Sequence, residues 1–209
     1  MFTMTSNNKE DLNLYQAEVQ TGVSLTSFMT AVTSFFLGLL ITRIADMNIT
    51  IKIPILFLII STFGFLFSSI IYSNASGEIT RLNGNKAKNY MLIGNVLSEY
   101  FGVYLLVLSI PLVINAVTSD IFLRTATFIV VIISLSLYSI SQFSIAHRYL
   151  KPITKNIFVL CIVILELVMF MAQINLLPYF TLLSTVFLIF IIISTYYFYK
   201  REERLELIN

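Results

Sequence analysis

Cysteine, histidine and tryptophan are nearly missing from this 209-residue chain, which has one Cys, one His and no Trp. The lone Cys161 cannot close an intrachain disulfide, so cysteine usage says nothing about redox compartment. His147 and Cys161 together cannot assemble a zinc or haem site of usual composition, and no metal or other cofactor is expected. Charge is scarce as well. Asp, Glu, Lys and Arg make up 11% of the residues, against about 25% in soluble domains. A net charge of +2 gives no reason to invoke a nucleic-acid partner. The chain has no GxSxG elbow, P-loop, HExxH or dinucleotide-binding fingerprint, so nothing points to an enzyme. A TVGYG-type potassium filter and the Arg ladder of a voltage sensor are also missing.

Apolar text fills the space. Hydrophobic residues are 57% of the chain and the mean hydropathy is +0.88. They gather in six stretches at about 22–44, 53–73, 97–117, 121–145, 156–174 and 176–199, each near the ~20 residues that cross a ~30 Å hydrocarbon core as a helix. If the stretches cross in alternation, Lys9, Arg81, Lys86, Lys88, Arg148, Lys151, Lys155, Lys200, Arg201 and Arg204 share one side. Only Arg43, Lys52 and Arg124 fall opposite. The positive-inside rule places the basic side in the cytoplasm. The fold class expected is therefore all-α: a polytopic integral membrane protein of six transmembrane helices, arranged as three antiparallel hairpins with both termini cytoplasmic.

On this reading residues 1–21 are a polar cytoplasmic tail, 22–199 the transmembrane domain and 200–209 a charged cytoplasmic tail. The largest other piece, 74–96, reads as a cytoplasmic loop from its turn formers Asn74, Ser76, Gly77, Asn83, Gly84 and Asn85. Neither it nor the N-terminal tail reaches the ~40 residues below which domains seldom fold unaided. No soluble catalytic or DNA-reading domain fits. MFTMTSNNKEDLN lacks the basic and apolar regions of a cleavable signal, so the first helix is expected to act as its own insertion signal. A multi-pass protein of the plasma membrane is expected, with lipid as its first partner. Six helices are few to enclose a pathway alone, so further copies or other membrane subunits are the other partners to expect.

Proline and tyrosine mark the helix ends. Pro54 and Pro178 sit near the first turns of helices 2 and 6, and Lys151-Pro152 breaks the chain between helices 4 and 5. Pro111 lies inside helix 3 and is read as a bend. Tyr72, Tyr149, Tyr196, Tyr197, Tyr199 and Tyr179 are read as interfacial anchors. Asn48-Ile49-Thr50 matches a glycosylation sequon on the outer side, a motif short enough to arise by chance.

Two features carry the functional reading. Every fourth residue of helix 1 is small: Gly22, Thr26, Thr30, Ser34, Gly38 and Thr42. Small-xxx-small spacing lets two helix backbones approach. Four residues turn 400°, so the stripe drifts 40° per step and is too wrapped for one straight partner. Packing is preferred here to pore lining, because Ser and Thr satisfy themselves on backbone carbonyls. Helix 4 offers a second polar seam, Thr127, Ser134 and Ser141 beside Gln142, as a candidate partner.

The other feature is a pair of carboxylates. Glu166 sits in NIFVLCIVILELVMFMA, near the bilayer centre, where an ionised residue costs roughly 2.5–3.5 kcal/mol. A structural hydrogen bond to Ser184 or Thr185 on helix 6 is preferred here by a narrow margin, and an ion or proton site is the alternative. Glu99 is the second candidate. It is interfacial if helix 3 starts at Val96, the start preferred here, and about a third of the way across if the helix starts at Tyr90. These residues lead to two expectations from different classes. One is a small ion, proton or small-solute channel or transporter, and the other is a non-catalytic subunit or scaffold of a membrane complex.

Overall fold

The structure, a computed structural model, describes residues 6–42, 51–81, 83–140, 152–174 and 179–206. Among them the chain is helical throughout, in six helices: α1 (Ser6–Ile41), α2 (Lys52–Thr80), α3 (Gly84–Val117), α4 (Ile121–Ile140), α5 (Pro152–Gln173) and α6 (Phe180–Glu206). Four segments are long and apolar enough to cross a membrane: Gln16–Ile41, Lys52–Thr80, Gly84–Val117 and Ile121–Tyr138. The apolar runs Leu160–Gln173 and Leu182–Ser194 are shorter. The chain is read as a membrane protein on that ground.

Helix ends differ from the expected ones. α1 begins at Ser6 and not at 22, so the polar N-terminal segment continues the first helix. α6 likewise runs on to Glu206 through most of the charged C-terminal segment. The expected 74–96 loop is not a loop. α2 continues to Thr80 and α3 starts at Gly84, leaving residues 81–83 as the connection. At 29 residues, α2 is about 44 Å long, more than the hydrocarbon requires. Asn74, Ser76 and Gly77 are weak helix formers, but the penalty is under about 1 kcal/mol each. It is outweighed where Ala75 and Ile79 pack with Val19, Tyr72, Ala87 and Met91 in a small core of α1, α2 and α3. Turn chemistry survives only at Asn83, whose side chain accepts from the Lys86 N–H and caps α3.

The main core joins the remaining helices. Phe57 of α2, Tyr100, Tyr104, Leu108 and Leu112 of α3, Leu135 of α4, Ile162 and Met169 of α5 and Phe187 of α6 form one cluster. Phe57 and Phe187 stack at 5.7 Å, and Phe128 and Phe170 at 5.1 Å. α2 lies between α1 and α3, while α4 and α5 pack on the second half of α3. Pro54 falls in the first turn of α2, Pro152 opens α5, and Pro111 is buried inside α3. Pro178, Tyr149, the Asn48 sequon, Ser141, Gln142 and His147 lie outside the described residues.

Tyr196, Tyr197 and Tyr179 are exposed, as anchors would be. Tyr72 is not one of them. It is buried, its hydroxyl donates to the Asn95 side chain, and its ring fills the space that a Cβ on Gly22 or Gly94 would enter. Gly22 and Gly94 leave room for the ring between α1 and α3, and a ring held on both faces serves packing, not the interface.

Candidate functional site

Glu166 occupies the middle of the buried face of α5. Ile162, Glu166, Met169 and Gln173 are all buried, the three-to-four-residue recurrence of a helix face turned inward. Glu166 is 1% exposed, and among the described residues neither carboxylate oxygen has a hydrogen-bond partner. Ser184 is buried and Thr185 exposed, and neither bonds to it. Buried polar groups are paired in the great majority of cases, and leaving one unpaired costs about 1–3 kcal/mol. Glu166 is thus placed at a cost that no structural bond offsets.

Gln173, seven residues along the same face, shows what a structural role looks like. Its amide donates to the Leu112 carbonyl at 2.7 Å and accepts from the Asn115 side chain at 3.0 Å. Arg124 joins this end of the molecule, donating to the carbonyls of Thr118 at 2.6 Å and Asn115 at 3.2 Å. A cation there complements the C-terminal end of α3. The sequence reading missed Asn115 and Gln173. Their only signal was an amide interrupting an apolar run, as in LVINAV and FMAQIN.

Glu99 is corrected most by the structure. α3 starts at Gly84 and not at Val96, so Glu99 lies well inside the helix, and it is 2% exposed. It lies in a π-helical segment, Leu97–Tyr104, inside α3. A π turn bonds residues five apart, so residues 99 and 104 come to one face. The Tyr104 hydroxyl donates to Glu99 Oε1 at 3.4 Å, and the Tyr138 hydroxyl hydrogen-bonds the same carboxylate from α4. The rings of Tyr104 and Tyr138 meet edge to face at 5.9 Å, with Tyr100 beside Tyr104 at 5.5 Å. Glu99 is a hydrogen-bonded acid among tyrosines and Glu166 a solitary one. No hydrogen bond joins the two.

Contacts with α2 hold the π segment. Ser61 of α2 donates to the Gly102 carbonyl at 2.8 Å, and the same carbonyl accepts the Leu105 N–H. Gly64 and Gly102 bring the two backbones together: a Cβ on Gly64 would stand 2.8 Å from the Phe101 carbonyl carbon, and one on Gly102 2.5 Å from the Phe65 ring.

The small stripe of α1 divides. Gly22 touches Tyr72, Thr26 is buried and Thr30 half-buried, whereas Ser34, Gly38 and Thr42 are exposed. The buried positions Val19, Thr26 and Thr33 recur every seven residues, the spacing that stays on one side of a helix while a four-residue stripe drifts away. Thr26, Thr30 and Thr33 each donate to a carbonyl four residues back in their own helix. Ser27 shares a hydrogen bond with Ser69 of α2 at 2.7 Å. The chief neighbour of α1 is α2, and those of α4 are α3 and α5. Thr127 is half-buried and Ser134 exposed, so this seam is not the main partner of helix 1. Among the described residues no group of three His, Cys, Asp or Glu side chains is placed to hold a metal ion. Comparison with protein-family models, characterised proteins and solved structures finds no match to this chain.

Proposed function

We propose that the chain is a small membrane transporter or channel in which Glu166 carries the transported or coupling ion. The observation behind this reading is a carboxylate at the centre of a buried helix face with neither oxygen bonded by the protein. An ionisable group inside a membrane is expensive, and such groups mark ion and proton pathways. A structural acid would be expected to hold a neighbour, as Gln173 holds Asn115 and Leu112. Glu99, ringed by tyrosine hydroxyls on an irregular stretch of helix, is the second candidate on the same pathway. π turns inside α-helices occur frequently at functional sites. The charge pattern supports six crossings with both ends cytoplasmic.

Glu166→Gln tests the proposal. It keeps the size of the side chain and its neutral hydrogen-bonding groups but can neither ionise nor exchange a proton. With purified protein in liposomes, flux is expected to fall to the rate of empty vesicles while the variant elutes and melts like the parent. Undiminished flux removes the proposal.

A second reading, as a non-catalytic subunit or scaffold, is favoured by different residues. α1 exposes Leu25, Phe28, Phe35 and Phe36, and α4 exposes Ile121, Phe122, Ile133 and Leu137. These faces are available to lipid or to partner helices. A stoichiometric partner that accompanies the protein through every purification step would favour this reading.

A further inference from the structure

We infer that the species carried at Glu166 is a proton and not an alkali-metal cation, an inference that rests on the transport reading above. An alkali cation that leaves water needs a ring of oxygens to replace its hydration shell. Glu166 supplies two oxygens, and its neighbours on the buried face, Ile162 and Met169, supply none. The next polar group on that face, Gln173, is about 10 Å along the helix axis and committed to Asn115 and Leu112. The buried Ser109 hydroxyl of α3 donates to the Leu106 carbonyl, and neither it nor the buried Ser184 of α6 bonds to the Glu166 carboxylate. The backbone carbonyls of α5 itself level with Glu166 belong to the hydrogen-bond ladder of an unbroken helix. A proton needs one oxygen. The carboxylate takes it from hydronium, leaving water, and returns it to water on release, so the loaded side chain is neutral among apolar neighbours.

The ionisable groups of α3 are Lys86, Lys88, Tyr90, Glu99, Tyr100 and Tyr104, those of α4 are Arg124 and Tyr138, and those of α5 besides Glu166 are Lys155 and Cys161; in α6 they begin at Tyr196, beyond the run Leu182–Ser194. None of them hydrogen-bonds the Glu166 carboxylate. Glu99 and Tyr138 bond to each other, and Arg124 is bound to the end of α3. Among the described residues no further His, Cys, Asp or Glu pair joins Glu166 in a group of three that could hold a metal ion, and no countercharge is bonded to the acid.

Proteoliposomes separate the cases. In vesicles containing a pH-sensitive dye and polarised by a potassium gradient with valinomycin, the parent is expected to move protons and Glu166→Gln to match empty vesicles. Radioactive sodium and rubidium uptake is expected to stay at the empty-vesicle level in both. Sodium or rubidium uptake that the variant loses, without proton movement, overturns the inference and leaves the transport reading standing. No Glu166-dependent flux of any ion overturns both. A second measurement needs only the folded parent. An apolar carbodiimide in detergent is expected to modify Glu166, faster as the pH falls and at a rate indifferent to excess sodium or potassium chloride. Protection by either salt overturns the proton assignment.

Discussion

Two polar side chains share the buried face of α5, and the difference between them is whether the protein answers them. Gln173 has both ends of its amide engaged, by Leu112 and Asn115, whereas Glu166 has neither oxygen engaged. Removing the first should therefore damage assembly, and removing the second should damage activity alone. Gln173→Leu leaves the Asn115 amide without its acceptor and is expected to destabilise the protein by about 0.5–2 kcal/mol. A lower midpoint of thermal unfolding in detergent would register it. Glu166→Leu, which replaces an unanswered acid with an apolar side chain, is expected to unfold no earlier than the parent and to be inactive. If it melts well below the parent, the carboxylate has a structural partner and the argument for its role fails.

Among the elements, α3 is the unusual one. A Ser61 bond to the Gly102 carbonyl and the contact between Gly64 and the Phe101–Gly102 backbone hold its π segment against α2. The segment in turn sets Glu99 and Tyr104 on one face. Gly64→Ala pushes a methyl group to 2.8 Å from the backbone of α3, where no flexible side chain can give way. The expected cost is about 1–3 kcal/mol, read as a fall in melting temperature. Ser61→Ala is gentler: it removes one hydrogen bond to the Gly102 carbonyl without adding volume, and its expected cost is about 1 kcal/mol. Should Gly64→Ala melt with the parent, the close approach of α2 and α3 is not as described. Neither glycine stands out in the sequence, since GFLF and YFGVY read as ordinary apolar text. What makes them necessary is a neighbouring helix separated from them by some forty residues.

At the scale of the molecule, the topology proposed from charge is checked by labelling. In a Cys161→Ser background, Ser119→Cys is expected to react with a membrane-impermeant maleimide on intact cells. Asn8→Cys and Asn85→Cys are expected to react only after permeabilisation. The reverse pattern would invert the molecule. Labelling of residues 8 and 85 on opposite sides would mean that one of α1 and α2 does not cross.

Much of the architecture was legible in advance, because hydrocarbon leaves helices as the only economical course for long apolar runs. The helical class, the number of helices and the place of Glu166 within an apolar helix follow from local text and length. Helix ends were less legible. Asn74, Ser76 and Gly77 spell a turn locally, and only contact with α1 and α3 keeps them helical. For the same reason helix 3 was started too late, at Val96, and Tyr72 was taken for an anchor. Pairing is a property of two segments at once: which amide meets which carbonyl, and which acid meets none, emerges when helices distant in sequence come to lie side by side.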